Sequence, residues 1–343
     1  MGDVDNHIFR TRIKSGQDEI VIRIGVTIPV IMGVLFGFLL GISDGESKGL
    51  CPQWGTAQRV FGLDWAKMNE VSGMAVSQDH SRIYYVNDSG SGPFVYATNR
   101  NGLLLGKITI SDSFFQLDNE ELAMGVCPLD PNKNSCLVVG DIGDNFEFRN
   151  SIEIIFLPEP KTIPMNVNPI LRLSLSYPDR AHNAEAFALL PNGDIVLITK
   201  EKIGRASVYR YQMKNLNSER AQSGVLEKMG EIDISTIVES SEQAAITGMS
   251  ISRDGSKMIL LTYSLAIEWQ LNWDQGTMFS LIPNQVQKIP IKILPQMEAV
   301  AFDDSDQSFF YTTEAENLKS LELVGGKDVP VYKVVCQPDS TRD

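Results

Sequence analysis

Short apolar runs separated by polar turns recur along most of the chain in one repeated arrangement. Each copy has an apolar strand that opens on Gly or Glu, a polar turn, and a second apolar strand that ends on polar residues. The copies begin at Gly73, Glu121, Glu185, Gly248 and Glu298. Recurrence of a two-strand unit at intervals of 48, 64, 63 and 50 residues indicates radial repetition, as in a β-propeller.

Further strand-like runs between these units give each copy an outer pair of strands; in the third copy these are Val208 to Tyr211 and Val225 to Ile234. This makes four strands per repeat, the content of one propeller blade. After the fifth unit one clear strand remains, Val329 to Val335. The missing outer strand is available near the other end of the domain, where Arg59 to Trp65 resembles the fourth strands of the other copies. A blade completed by both termini closes the ring and removes an exposed edge. We therefore predict an all-β fold, a β-propeller of five four-stranded blades, with six blades as the alternative because the two longer intervals have room for another.

An uncharged apolar segment, residues 24–42, precedes the repeats. As a helix it would span about 28 Å, close to the hydrocarbon thickness of a bilayer. Basic residues precede it and Asp44 and Glu46 follow, so the positive-inside rule places the N-terminus in the cytoplasm and the propeller outside. A cleaved signal peptide is the alternative, but the run is long and no A-x-A-like site follows it.

The predicted organisation has five parts. They are a cytoplasmic segment over 1–19, a transmembrane signal anchor over 20–42, a linker over 43–56, the propeller over 57–336 and a tail over 337–343. The expected localisation is the cell membrane, crossed once, with an extracytoplasmic propeller.

The formal net charge of −13 lies beyond residue 42, because the first 42 residues hold four basic and four acidic side chains. An acidic domain repels phosphate backbones, so nucleic acid is not an expected partner. The expected partners are the membrane and an unidentified small ligand or protein.

Four cysteines are an even number in a domain expected to face an oxidising compartment. Cys127 and Cys136 flank the long turn of the second repeat, where paired strands bring Cβ atoms to bridging distance. Cys51 and Cys336 lie at the two ends of the domain, which a ring brings together. We expect these two disulfides, and four free buried thiols are the alternative.

Acidic side chains recur where the strands reach one rim. A chain that runs along a strand, turns and returns finishes on the face where it started. Glu121, Glu185 and Glu298 are therefore expected to point to a common channel mouth, accompanied by Glu120. These three glutamates are the expected ligands of a hard cation such as Ca²⁺. The other expected ligand-binding residues are Asn87, Asp88, Asp141, Asp144, Asn145, Lys200, Tyr263 and Glu314. A purely structural ion, Lys200 as an internal counter-charge, or screening by water are the alternatives.

Two motifs at strand ends stand out, Asn87 to Gly90 (NDSG) and Gly140 to Asn145 (GDIGDN). An Asx-turn at each place is the simpler interpretation. Together with Ala184-Glu185-Ala186 and Glu298-Ala299, they resemble blade motifs of bacterial secreted or membrane-anchored propeller proteins, over about residues 60 to 315. The resemblance implies a propeller outside the cytoplasm. More distantly, the layout is similar to calcium-dependent lactonase and phytase-like propellers, whose ions sit at the channel, although the ligands here are mostly Glu rather than Asn and Asp.

Catalytic arrangements are scarce. His182 precedes a rim glutamate by three positions and is the candidate general base, with a solvated loop histidine as the alternative. The chain has no G-x-S-x-G, H-E-x-x-H or phosphate-loop motif. Three functions remain: binding of a small ligand, ion or partner at the channel mouth, metal-dependent hydrolysis of an ester, lactone or phosphoester, and structural display at the cell surface. Whether the protein is an enzyme is left open by the sequence.

Overall fold

The computed structural model describes residues 49–111, 118–163, 166–201, 204–238, 243–274, 278–303 and 305–337. All of them belong to one compact unit, Ser47–Asp343. The predicted cytoplasmic segment and signal anchor, and nearly all of the predicted tail, lie outside the described residues. Among the residues that are described, no helix is long and apolar enough to cross a membrane.

The regular secondary structure of the described chain is almost entirely β-strand. In chain order the first strands are β1 (Gln53–Trp54), β2 (Gln58–Leu63), β3 (Val71–Val76), β4 (Arg82–Asn87), β5 (Phe94–Asn99), β6 (Leu104–Ile110), β7 (Asn119–Val126), β8 (Ser135–Asp141), β9 (Ile152–Pro158), β10 (Asn166–Val167) and β11 (Leu171–Ser176). They are followed by β12 (Ala184–Leu189), β13 (Ile195–Thr199), β14 (Arg205–Tyr211), β15 (Ala221–Val225), β16 (Glu227–Asp233), β17 (Ile246–Ile251), β18 (Lys257–Thr262), β19 (Ala266–Asp274), β20 (Met278–Ile289), β21 (Met297–Phe302), β22 (Ser308–Thr313) and β23 (Val329–Gln337). A 3₁₀ turn, Met213–Asn215, and one short helix, α1 (Leu318–Leu323), complete the elements.

The strands form five sheets, each with an antiparallel four-stranded core, which are the five blades of a propeller. Blade 1 is β3-β4-β5-β6, blade 2 is β7-β8-β9-β11, blade 3 is β12-β13-β14-β16, blade 4 is β17-β18-β19-β20 and blade 5 is β21-β22-β23-β2. The inner strands β3, β7, β12, β17 and β21 contact one another in that order, and β21 returns to β3. The prediction of an all-β propeller with five blades is confirmed.

Both ends of the domain complete blade 5, as predicted. β2 pairs with β23, where Leu63 lies opposite Val329. β1 pairs with the end of β23, so the sheet begins before the predicted boundary at residue 57. The disulfides Cys51–Cys336 and Cys127–Cys136 are both present, which confirms the predicted pairing. The first closes a loop with a sequence separation of 285, so in the chain-entropy account it restricts the unfolded chain far more than the second.

Two short strands extend the outer edges of blades. β10 pairs in parallel with β6, and β15 pairs in parallel with β11. The sequence predicted one strand from Val225 to Ile234, whereas the structure has β15 in blade 2 and β16 in blade 3. Leu226 separates them and is buried in the core between these two blades. The pairing of β15 with β11 covers the edge of blade 2, which would otherwise present unpaired backbone groups.

The hydrophobic core consists of five apolar clusters, one in each interface between neighbouring blades. Ile154 of blade 2 and Phe187 of blade 3, for example, are fully buried in one cluster. Because each blade is covered on both faces, its strands are near-continuous apolar runs rather than alternating ones. This packing fixes the inner strands and therefore the side chains at their ends.

A buried ion pair joins blade 4 to the first residues of the propeller. Lys257 Nζ lies 3.1 Å from Glu268 Oε1, and the two side chains are 1% and 0% exposed. Glu268 Oε2 accepts hydrogen bonds from Cys51 N at 2.9 Å, Trp54 Nε1 at 2.9 Å and Gln287 Nε2 at 2.6 Å. The carboxylate therefore ties the entering chain and its disulfide to the sheet.

Candidate active site at the channel mouth

All five inner strands carry an irregularity at the same place. The register between each inner strand and its neighbour shifts just after the first residue of the inner strand. A bulge of this kind re-aims a side chain and is common beside functional sites. The residues at the shift are Ser72, Glu120, Glu185, Thr247 and Glu298, and all five are buried. We call them the bulge ring.

A second group of polar residues follows the second strands of the blades. The backbone N–H of Asp88 donates to Glu70 O, that of Lys200 to Asn183 O and that of Glu314 to Gln296 O. Each bond continues the hairpin past the bulge. Asp88, Lys200, Tyr263 and Glu314 therefore lie beside the bulge ring, and Ile142 takes the equivalent place in blade 2.

In blade 2 the residue at this place, Ile142, is apolar. Asp118, just before the inner strand, supplies a carboxylate there instead. Asp118, Glu120 and Asp88 each offer an oxygen, and these three oxygens all lie within 4.8 Å of one another. A Cβ atom at Gly143 would collide with the carboxylates of Asp118 and Glu120. Gly143, inside the GDIGDN motif, is therefore required for this close approach.

Burial and mutual repulsion raise the pKa values of the clustered carboxyl groups. Burial, followed by interaction with Asp88, raises the pKa of Asp118 to about 7. Burial and the neighbouring charge of Glu298 raise the pKa of Glu314 to about 11. The pKa of Glu120 is also raised well above its ordinary value by burial and by the charges of Asp88 and Glu298. The carboxyl groups of Asp118, Glu120, Glu298 and Glu314, whose pKa values are all raised, therefore ionise together only with a compensating positive charge.

Lys200 neutralises one side of this group. Its ammonium pairs with Glu185 Oε1 and lies 5.3 Å from the centre of the Tyr263 ring. The Tyr263 hydroxyl donates to Glu298 Oε1 at 3.2 Å. In the described part of the chain, Glu185 Oε2 and Glu314 Oε1 are buried without a hydrogen-bond partner. Carboxylate oxygens in that state are available as ligands for a cation.

Glu121, one residue beyond the bulge, has a different environment. Its Oε2 accepts a hydrogen bond from Met249 N of blade 4 at 3.0 Å. Its Oε1 accepts from Leu122 N at 3.0 Å and from Met74 N of blade 1 at 3.4 Å. The side chain is fully buried, so it reaches across the channel and joins three blades through their backbones. These contacts support a structural role for Glu121, which the sequence predicted as a cation ligand.

The channel has room for Glu121 because the equivalent residues of other blades are small. Gly73 and Gly248 occupy that position in blades 1 and 4. A Cβ atom at Gly73 would lie 2.6 Å from Glu121 Cα, and one at Gly248 would collide with Glu298 O. Beyond Glu121 the channel widens into a cavity of about 370 Å³ lined by all five inner strands.

The remaining predicted ligands of blade 2 shape the rim. Asp141 Oδ1 accepts from Asp118 N at 3.0 Å and from Arg149 Nη1 at 2.8 Å. Asp144 Oδ2 accepts from Arg149 N at 2.7 Å. Asn145 Oδ1 accepts from Asn183 Nδ2 at 3.1 Å. Side chains engaged in this way hold the loop that carries Gly143.

Asn87 and His182 are the last two predicted site residues. Asn87 Nδ2 donates to Lys67 O at 2.9 Å, while its Oδ1 is buried without a hydrogen-bond partner among the described residues. His182 Nε2 lies 3.1 Å from Asp179 Oδ1 and 2.8 Å from the Tyr209 hydroxyl. No described hydrogen bond or ion pair joins His182 to the clustered carboxylates, and its role as a base stays a prediction.

Sequence reasoning missed Asp118 and did not identify the bulge ring. The repeats had been aligned on Gly or Glu, which placed Glu121 level with Glu185 and Glu298. In the structure Glu120 is their equivalent, and Ser72 and Thr247 complete the set. Alignment on the polar residue that precedes Gly73, Glu121, Ala186, Gly248 and Ala299 would have revealed the ring.

Comparison with known proteins gives little beyond these observations. No protein-family profile matches the chain, and no curated protein matches it. Solved structures similar to it include an oxidoreductase (glucose dehydrogenase) from Thermus thermophilus, with 9% identity, a TM-score of 0.44, and coverage of 82% of this chain and 100% of that one. A luciferin-regenerating enzyme has 12% identity, a TM-score of 0.42, and coverage of 81% and 94%. An auxiliary nutrient binding protein from Bacteroides thetaiotaomicron has 8% identity, a TM-score of 0.42, and coverage of 81% and 75%. Similarities this distant do not indicate which ligand this chain binds or which reaction it catalyses.

The raised pKa values predict how the stability of the ion-free protein depends on pH. The folded state holds protons on Asp118 and Glu314 that the unfolded state has released above about pH 4 to 5, so stability must fall as pH rises towards 7. Each such group lowers the free energy of unfolding by at most about 1.4 kcal/mol for each unit by which the pH rises. We expect the melting temperature of chelated protein to fall by about 5 °C between pH 5.5 and 7.5, measured by scanning calorimetry. A melting temperature that rises over this interval would contradict the assignment.

Proposed function

We propose that the propeller binds a hard divalent cation of the Ca²⁺ class at its channel mouth. The observation that carries the proposal is the convergence of Asp88, Asp118 and Glu120 to within 4.8 Å. Calcium takes six to eight oxygen ligands at about 2.3–2.6 Å, and three carboxylates so placed need little movement to share one ion. Glu298 and Glu314 adjoin them, as their mutual effects on pKa indicate.

Charge balance supports a cation over protonation alone. Lys200 pairs directly with Glu185, while Arg149 pairs with Asp141. Neither forms a described ion pair with Asp88, Asp118 or Glu120. A divalent ion among these carboxylates would supply the missing positive charge and allow them to ionise at neutral pH.

The geometry also supports a role in binding an external ligand through the ion. Glu121 fills the channel beyond the mouth, so a ligand would approach from the rim. Asp88 is partly exposed, whereas Asp118 and Glu120 are 9% and 2% exposed, so the trio is most open on the side of Asp88. An ion held there would favour ligands with carboxylate, phosphate or hydroxyl oxygens in its open positions.

Metal-dependent hydrolysis of an ester, lactone or phosphoester is the alternative from the sequence. In the form that the sequence predicts, it uses His182 as a base in addition to an ion at the mouth. His182, the candidate for that role, contacts Asp179 and Tyr209 instead. Ligand binding therefore has the stronger support.

We further propose that residues 20–42 anchor the protein in a membrane with the propeller outside the cytoplasm. Two disulfides support exposure to an oxidising compartment, and the resemblance to secreted or membrane-anchored propellers agrees with it. Protease treatment of intact cells should release the propeller. Loss of an N-terminal epitope instead would reverse the proposed topology.

The experiment for the cation site is a titration of metal-free protein with Ca²⁺. Binding is measured by isothermal titration calorimetry, and stabilisation is measured as the change in melting temperature. At a Ca²⁺ concentration 100 times the Kd, binding should stabilise the fold by about 2.7 kcal/mol. Glu120→Gln and Glu298→Gln should each weaken Ca²⁺ binding at least tenfold because they remove charge from the ligand set. Glu219→Gln, an exposed turn residue, is the matched control and should bind like the parent. Absence of heat and of stabilisation with Ca²⁺, Mg²⁺ and Mn²⁺ would overturn the proposal.

A further inference from the structure

A second group of potential metal ligands lies between blades 2 and 3. Glu147 belongs to the loop after β8, His182 precedes β12, and Glu201 follows β13. One ligand atom from each lies within 4.8 Å of the other two. None of the three belongs to the bulge ring or to the carboxylate trio at the mouth.

The hydrogen bonds of His182 fix which ring nitrogen is free. The Tyr209 hydroxyl lies 3.0 and 2.9 Å from the two oxygens of Asp179, so its single proton is donated to that carboxylate. His182 Nε2 lies within hydrogen-bond distance of both Asp179 and Tyr209 and finds only acceptors there. Nε2 therefore carries the proton in neutral His182, and Nδ1 keeps its lone pair.

That lone pair has no described partner. His182 is 3% exposed, and its Nδ1 is buried without a hydrogen bond in the part of the chain that the structure describes. The Glu201 Oε1 atom lies 4.0 Å away, too far for a hydrogen bond. A histidine that donates one N–H to a carboxylate and directs its other nitrogen at further carboxylates has the arrangement typical of a metal ligand with its supporting residue.

We propose that Glu147, His182 and Glu201 form a second cation site, for a transition metal of the Zn²⁺ or Mn²⁺ type. Imidazole nitrogen suits these metals, whereas Ca²⁺ prefers oxygen ligands throughout. Bonds of about 2.0–2.2 Å require the three ligand atoms to move slightly closer together. The side chains of Glu147 and Glu201 are 41% and 30% exposed, so rotation of their ends can provide this movement. Three protein ligands leave at least one position open to water or to a ligand.

In the ion-free protein, Arg180 supplies positive charge to the carboxylates that would bind the metal. Its guanidinium pairs with Glu147 Oε2 and lies 4.0 Å from Glu201 Oε1. The side chain is 54% exposed, so it can leave when a metal binds. Arg180 therefore competes with the metal, and its removal distinguishes a metal site from a simple ion-pair network.

The test is a titration of the full chain with Zn²⁺ by calorimetry and with Co²⁺ by visible absorption, in saturating Ca²⁺. We expect one Zn²⁺ to bind per chain, and we expect the visible spectrum of bound Co²⁺ to be typical of coordination by a nitrogen ligand. Glu147→Gln and Glu201→Gln should each weaken Zn²⁺ binding at least about 10- to 100-fold, the loss that follows replacement of even a supporting residue around a metal ligand, and His182→Gln should abolish it. Arg180→Ala should strengthen binding at least threefold.

Two controls keep this result separate from the channel mouth. Glu120→Gln should leave Zn²⁺ binding unchanged, and His80→Gln, which removes a histidine paired with Arg253 at the surface, should also have no effect. Glu147 and Glu201 are at least partly accessible, so Glu147→Gln and Glu201→Gln keep the test valid if His182→Gln does not fold. Zn²⁺ binding that is absent, or that these two variants leave unchanged, would overturn the proposal whatever the outcome of the Ca²⁺ titration.

Discussion

Replacement of Glu121 by Ala is expected to destabilise the propeller by about 3–6 kcal/mol. Three backbone N–H groups, of Met74, Leu122 and Met249, donate to this carboxylate from three blades. Each buried donor left without an acceptor costs about 1–3 kcal/mol, and the vacated space in the channel adds a cavity term. Urea unfolding followed by fluorescence measures the change.

The adjacent residue supplies a control for the Glu121 prediction. Glu120→Gln removes the same charge one position earlier, where repulsion from Asp88 and Glu298 already opposes ionisation. In the absence of Ca²⁺ it should change stability by less than about 1 kcal/mol while weakening Ca²⁺ binding. A Glu121→Ala protein that is as stable as the parent but has lost Ca²⁺ binding would support the predicted role of Glu121 as a cation ligand instead.

The second large effect is expected for Lys257→Ala. This substitution leaves the carboxylate of Glu268 fully buried without its charged partner. Removal of one partner of a buried ion pair costs about 3–5 kcal/mol. Because Glu268 also accepts from Cys51 N and Trp54 Nε1, its protonation or movement would also loosen the entering chain. Urea unfolding at pH 7 measures the loss of stability.

A variant that lacks both charges of the Lys257–Glu268 pair tests the ion-pair interpretation. The double variant Lys257→Met/Glu268→Gln removes both charges and keeps the side-chain volume, so it should recover more than half of the stability lost in Lys257→Ala. Lys288→Ala on the outer strand of the same blade changes an exposed lysine and should have little effect. A double variant no more stable than Lys257→Ala would contradict the uncompensated charge of Glu268 as the cause of the destabilisation.

The fold was predictable because its main determinants are periodic in the sequence. Paired apolar runs with polar turns identified the hairpins, and the single strand left after the fifth copy identified the closure by Arg59 to Trp65. Cys51 and Cys336 then had to meet. The added strands β10 and β15 were not predictable in the same way, because their pairing depends on which blade edge lies nearby and not on a pattern of their own.

The site was predictable in its location but not in its details. Glu185, Glu298, Lys200 and Tyr263 do lie together, since strand ends share a rim. The separate environments of Glu120 and Glu121 depend on a bulge, which shifts the register by one residue and turns adjacent glutamates in different directions. Such a shift leaves no clear mark in a run of apolar and acidic residues.

The most direct test of the account is an anomalous difference map from a crystal of the protein grown in millimolar Ca²⁺ and recorded at long wavelength. We predict a peak within about 2.6 Å of carboxylate oxygens from Asp88, Asp118 and Glu120. A map without a peak at the mouth, in which Lys200 instead lies among these three carboxylates, would contradict the claim that the propeller gathers them to bind a cation.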